Sequence, residues 1–291
     1  MVLMANSSFL MQVRRERTVL GLEEAETENF LHNLVTVDIL GLAQGAARYA
    51  ALLTPQGKIL FDFFVVKTAE GYLLDCAASQ LEELTKRLMF YRLRAKITIS
   101  ERKDLEVGVS PERPQGMTAY ADPRTSLIGW RVIADKGTLP MGTGYDAARI
   151  ALGLGDSDGD IGSSELFPHE ANFDQMGAVS FSKGCYIGQE VVSRMEHRAT
   201  ARSRILPVTL DGAAPPRGAA IKSGDRIIGS VLSSVGKAAL ALLRLDRMAE
   251  GDRPRRGLAR DQRAVEIGRS LFDLAVDRDP LVALDRLEAA L

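Results

Sequence analysis

The chain has 291 residues, 37 of them basic and 38 acidic, with 46% hydrophobic and 26% charged side chains. Such a composition can bury a core, which excludes global disorder, and the length suits two or three domains. The net charge of −1 and the two cysteines exclude whole-protein attraction to nucleic acid or an anionic membrane, a disulfide framework, and the four thiolates of an ordinary iron–sulfur cluster. The first residues, MVLMANSSFLMQVRRERTVL, carry their arginines after a short apolar stretch, the reverse of a secretory signal. Glu16, Glu23, Glu24 and Glu26 follow at once and argue against a mitochondrial presequence. No run approaches the roughly 18 apolar residues of a membrane span. A cytoplasmic protein with no membrane or nucleic-acid partner is expected.

Residues 24–35 place Phe30, Leu31, Leu34 and Val35 at the spacing of an amphipathic helix. Three strand-like runs follow, at 47–53, 58–66 and 71–76. Thr54-Pro55-Gln56-Gly57 and Ala69-Glu70-Gly71 separate them as turns, which predicts an antiparallel meander. A helix from Ser79, as its N-cap, to about Tyr91 and a strand over 95–100 come next. Residues 110–125 read as loop around a short strand, and 127–134 as another strand. A short helix over 145–152 ends at Gly153. Beyond about 202 the chain turns to β runs at 203–210, 226–233 and 238–245, the pattern of a small barrel or sandwich. Leu271, Leu274, Ala275, Leu284 and Leu287 suggest a helical tail over 268–291.

Few segments carry chemistry. The loop 153–165, GLGDSDGDIGSSE, matches no phosphate-loop pattern. As a calcium loop it has Asp156, Asp158 and Asp160 in place, but its glycine falls one residue late and Phe167 stands where a Glu is needed, so a flexible solvated loop is expected. Cys76 and Cys185, with His32, His169 and His197, show no metal-ligand spacing, and no metal is expected. Cys76 alternates with Leu74 and reads as a buried structural thiol.

Two positions stand apart. Asp62 interrupts the apolar strand KILFDFFVV, sharing a face with Leu60 and Phe64 by alternation. It reads as an anchor for a cationic or N–H-rich heterocycle, or as a solvated edge residue. In KGCYIGQE, at 183–190, a helix should start near Ile187 or Gly188, with Val191, Val192 and Met195 on one face and Arg194 and Arg198 on another. Cys185 would precede its N-terminus with Lys183 two residues away, and both effects favour a thiolate. The alternative is a thiol buried at a glycine-flanked turn.

KGCYIGQE resembles the signature of the YgfZ-type folate-binding proteins, bacterial relatives of the mitochondrial iron–sulfur assembly factor. They belong to the aminomethyltransferase (glycine-cleavage T-protein) superfamily. FLHNLVTVDILGL, ARYAALLTPQGKILFDFFVV, YRLRAKITI, LFPHEANFD and LALLRLD fall in family order over roughly residues 24–246. The resemblance implies an α+β, three-lobed arrangement around a central channel. Residues 1–200 would form two interleaved α+β lobes, 201–267 a C-terminal β-barrel and 268–291 the tail. Tetrahydrofolate or a derivative would occupy the channel. Asp62 matches an acidic position of the folate site, and Lys183 and Cys185 match the family's functional pair. Glu170 and Asn172 of PHEAN match its pocket-facing signature, with Tyr186, Gln189 and Glu190. Arg194, His197 and Arg198 are further candidates for the folate glutamate tail.

The chain also departs from the aminomethyltransferase pattern. Phe61 leaves Asp62 as a single acid where those enzymes carry a pair, and their tyrosine-glycine-rich segment is missing. The implied function is a tetrahydrofolate-binding accessory protein for assembly or repair of iron–sulfur enzymes, with those enzymes or their assembly proteins as partners. The alternative is a folate-dependent aminomethyl transferase with Asp62 as general base. With so few thiolates, any cluster contact would be shared or transient.

Overall fold

A computed structural model describes residues 9–198, 201–223, 225–247, 256–259 and 264–267. In chain order its elements are β1 (Gln12–Val13), β2 (Arg17–Glu23), α1 (Thr27–Leu34), β3 (Ala47–Leu53), β4 (Ile59–Lys67), β5 (Gly71–Ala77), α2 (Leu81–Arg92), β6 (Thr98–Glu101) and β7 (Leu105–Ser110). There follow β8 (Thr118–Ala121), β9 (Trp130–Asp135), α3 (Tyr145–Ala151), α4 (Gln189–Arg198), β10 (Ser203–Leu210), β11 (Ala220–Ser223), β12 (Arg226–Val235), β13 (Ala238–Arg244), β14 (Arg256–Ala259) and β15 (Ala264–Ile267). The expected tail helix lies outside the described residues.

The strands form two sheets and a barrel. One sheet runs β3-β4-β5-β2-β6, the second β1-β7-β9-β8, and the closed barrel β10-β13-β12-β11-β14-β15. The predicted meander is present as β3, β4 and β5, where alternation and the two turns agree. One face of the five-stranded sheet packs Leu52, Phe61, Phe63, Val65 and Leu74 against α1 and α2 through Phe30, Leu31, Leu84 and Leu88. Its other face turns Tyr49, Phe64 and Val66 toward Val107, Tyr120 and Ile133 of the second sheet. Ile205, Leu232 and Leu240 of the barrel join that same interior.

Several expectations change. Residues 12–13 and 17–23, weighed above as a possible leader, are β1 and β2, and β7 and β11 are further strands beyond those expected. Ser79 does not cap α2; it lies in a short 3₁₀ turn, and its hydroxyl donates to Asp158. The pairing of β3 with β4 shifts register at Leu52/Leu53, so Ile59 joins the interior side while Leu60 packs with the helix side. Asp62 therefore keeps Phe64 as a face-mate and loses Leu60, because a bulge reverses alternation beyond it. The segment 153–164 is not a solvated loop: Ser157, Asp160 and Ile161 are buried in a single π-helical turn.

The β3–β4 turn meets the start of α4 glycine to glycine. Gly188 has φ +80°, and a Cβ there would sit 2.6 Å from the Thr54 carbonyl oxygen and 3.0 Å from the Gly57 Cα. A Cβ on Gly57 would in turn meet Val191 at 2.8 Å. Gly188→Ala is thus expected to destabilise the protein by about 2 kcal/mol or more, combining the positive φ with the clash. Urea unfolding checks this, and an unchanged midpoint would mean that the junction has slack.

Candidate functional site

Arginines and aspartates fill the interior between the two sheets. Arg17 on β2, Asp62 on β4 and Asp75 on β5 are buried within it, as is Arg131 on β9. Asp75 accepts from Arg17 Nε at 2.7 Å through one carboxylate oxygen, and from Arg131 Nε at 2.7 Å and Tyr120 OH at 3.0 Å through the other. Burial alone would raise the Asp75 carboxyl, but the Arg131 and Arg17 guanidiniums outweigh it and hold the pKa below the ordinary value. Three guanidiniums surround the Phe64 ring, with Arg131, Arg124 and Arg17 at 3.9, 5.0 and 5.6 Å from its centroid.

The segment 153–164 supplies more acids to the same network. Asp160 accepts from Arg149 at 2.7 Å, and Asp156 lies 3.4 Å from Arg14 and 3.8 Å from Arg17. Asp146 pairs with Arg14 and Arg149, and Asp122 with Arg124. Asp62 differs from these acids: no guanidinium of the described residues lies within ion-pair distance of it. One of its oxygens accepts from Tyr49 OH and Ser157 OH, each at 2.8 Å, and Ser157 in turn accepts from Arg17 at 3.0 Å. Burial therefore dominates and raises the Asp62 pKa, despite the Arg17 charge and the two hydroxyls. Asp62 is neither a solvated edge residue nor an open anchor. The cavity it shares with Arg14, Arg17, Tyr49, Phe64 and Arg124 holds about 10 Å³, room for roughly one water. Small-molecule sites run to about 300–1,000 Å³. The Asp62 centre does not fit a pterin in this structure.

The other expected binding residues do not converge on Asp62. Glu170 accepts from the Phe167 N–H of its own turn. Buried Asn172 donates to the Ile205 carbonyl at 2.7 Å and accepts from Arg204, fixing β10 to the preceding segment. Glu190 and Arg194 are exposed and pair with each other at 2.7 Å. Gln189 is half-buried and His197 exposed, while the Arg198 side chain lies outside those described. His169, Asp174 and Glu196 gather within 4.8 Å of one another although their spacing gives no metal signal. Asp174 already binds Arg204 at 2.7 Å, and His169 Nε2 lies 3.0 Å from Glu196.

The 183–188 loop is pinned on several sides. Lys183 donates to the carbonyls of His32, Val35 (2.7 Å) and Val37 (2.9 Å) at the end of α1. Burial draws its pKa down to about 8, with Asp38 opposing. The lysine charge expected beside the thiol is thus bound to α1. Tyr186 is buried with no partner for its hydroxyl among the described residues, and burial pushes its pKa up to about 12. Ile187 packs on the helix-side core, and Gly188 meets the hairpin turn. Between these anchors Cys185 is exposed, which overturns the alternative of a buried thiol. Cys76 is buried as expected, and burial pushes its thiol up to about 12.

Comparison with known proteins adds relatives and a fold. Residues 202–268 match the family model described as the CAF17 C-terminal β-barrel domain. An iron–sulfur cluster assembly factor IBA57 homolog of Pyricularia oryzae is 30% identical, covering 91% of this chain and 78% of that protein. The mouse factor IBA57 is 32% identical over 70% of this chain and 67% of its own, and the human one 30% over 78% and 75%. The glycine cleavage system aminomethyltransferase T of Bartonella henselae superposes with a TM-score of 0.71 at 15% identity, over 91% of this chain and 86% of that one. The fold is therefore aminomethyltransferase-like, mixed α+β with a C-terminal β-barrel.

These relatives are named as mitochondrial, which corrects the expectation of a cytoplasmic protein. That expectation leaned on the charges from Arg14 to Glu26, and in this stretch Arg17–Glu23 is strand β2 of the five-stranded sheet. No helix among the described residues is long and apolar enough to cross a membrane.

The network gives Asp62 and Asp75 opposite behaviour on substitution. Asp75→Asn leaves Arg17 and Arg131 buried with one partner weakened and is expected to cost about 3–5 kcal/mol. Asp62→Asn mimics the neutral acid and is expected to be nearly silent at low pH. A raised native pKa means that the Asp62 contribution is full below its unfolded pKa and is lost as pH rises through the native one. D62N should therefore gain stability relative to wild type as pH climbs through that window. Denaturant titrations at stepped pH read the difference, and a constant offset would contradict it.

Proposed function

The chain belongs to the IBA57 family of iron–sulfur cluster assembly factors, and we propose that it acts as an accessory protein in assembly or repair of iron–sulfur enzymes. The observation that carries the proposal is the exposed Cys185 on its pinned loop. A cysteine at a fixed surface position can ligate a metal or exchange with a partner's thiol through its deprotonated form. A single accessible cysteine cannot hold a cluster in the usual four-thiolate way, so the partner supplies the remaining ligands. Lys183 and Tyr186 act as positioning residues in this reading, since their polar groups face the protein interior.

A finer kinship with the YgfZ-type folate-binding proteins is supported by KGCYIGQE and the ordered motifs around it. Tetrahydrofolate as ligand is supported by the aminomethyltransferase-like fold. The closed centre at Asp62 does not receive its pterin, so no step is routed through the folate. The transferase alternative is not favoured, because Asp62 is buried beside a water-sized cavity where no amine donor could reach it.

Cells lacking their own assembly factor and carrying this chain provide the test. Cys185→Ala is expected to leave iron–sulfur enzyme activities at the level of the empty vector, while Cys76→Ala restores them. Full restoration by C185A, with the protein present at wild-type amounts, would remove the thiol from the account.

A further inference from the structure

A second cavity borders the buried network, of about 530 Å³ and within the range of small-molecule sites. Arg14, Arg15, Arg17, Lys136, Glu106 and Met141 are among its lining residues. Arg14 and Arg17 also line the water-sized pit at Asp62, so they form the boundary between the two spaces. From this lining we infer that the cavity is a binding site for a small oxyanion, a ligand carrying carboxylate or phosphate groups. The inference is independent of the proposed role of Cys185.

The charges around the cavity support that assignment. Glu106 is the one carboxylate in its lining, and its charge is already committed. It accepts from Leu139 N–H at 2.7 Å, and the N–H groups of Gly137 and Thr138, with the nearby Lys136 charge, also stabilise it. Glu16 is bound to Arg14. Arg15 and Lys136, by contrast, are exposed and have no ion-pair partner among the described residues. The two buried arginines are held in place by acids behind them. Asp146 takes two nitrogens of Arg14, each at 3.1 Å. Arg17 spends Nε and Nη2 on Asp75 and Nη1 on Ser157. Arg17 Nη1 also lies 3.8 Å from Asp156, so the guanidinium is fixed in the cavity wall. Fixed guanidiniums on one side and exposed cations on the other are the arrangement that recognises an oxyanion. Met141, 65% exposed, adds an apolar wall for the body of an organic anion.

Calorimetry on the full chain at low ionic strength, where charges act over about 30 Å, tests this with inorganic phosphate and with 5-formyltetrahydrofolate as separate probes. At least one probe is expected to bind, with affinity reduced at least about tenfold by Arg15→Glu with Lys136→Glu. Both positions are surface sites, so a thermal melt matching wild type verifies the fold. Phosphate binding that competes with the folate identifies a seat for the tail carboxylates. Phosphate alone identifies a free-phosphate site, and folate alone, weakened by the substitutions, identifies an organic anion. No heat from either probe, or affinities untouched by the charge reversals, would overturn the assignment.

Discussion

Asp75, held between Arg17 and Arg131, is the contact on which the packing of the two sheets depends. Arg17 and Asp75 come from adjacent strands of one sheet, and Arg131 crosses from the other. A buried carboxylate is costly unless opposite charges and hydrogen bonds surround it, and here both conditions are met. The arginines then lie over the Phe64 ring, so the same charges that satisfy Asp75 also cover the aromatic core. Apolar faces alone could slide over one another. Directional ion pairs permit one register between the sheets.

That network also explains the absence of room where a ligand is expected. The aminomethyltransferase-like arrangement brings its interior faces together, and in this chain guanidiniums and carboxylates fill the junction. Asp62 is the acid left over. Its partners are hydroxyls, and burial without a paired cation pushes its pKa upward, since charging it would place an unpaired carboxylate in the core. Chemistry therefore moves to the margins of the network. On one margin, a loop fastened to α1, the core and the hairpin turn presents Cys185. On another, Arg14 and Arg17 border a cationic cavity.

The sequence makes some of this legible. Strands β3, β4 and β5 are predicted to within about two residues because alternation and turn residues agree. The start of α4 follows from Gly188 and the apolar spacing after it, and the ordered motifs around KGCYIGQE point to iron–sulfur assembly. The buried charges are not legible in the same way. An arginine defaults to the surface when only its neighbours are known, and the partners of Asp75 lie 58 and 56 residues away. The 153–164 segment is misread for that reason: its Asp, Ser and Gly content describes a solvated loop until Arg14, Arg17 and Arg149 arrive from elsewhere. One signal was available. Asp75, like Asp62, interrupts an apolar strand, and two acids facing one interior call for several cations.

The protonation state of Asp62 is the most direct measure of this account, because it reports whether the network is closed and complete without that acid. Carbon-13 NMR of the labelled side-chain carboxyl, assigned with D62N, follows it through a pH titration of the folded protein. The account predicts a carboxyl that remains protonated above the ordinary aspartate range, while Asp75 stays ionised below it. An Asp62 resonance titrating at or below the ordinary aspartate pKa would contradict it, and would mean that solvent or a cation reaches the centre.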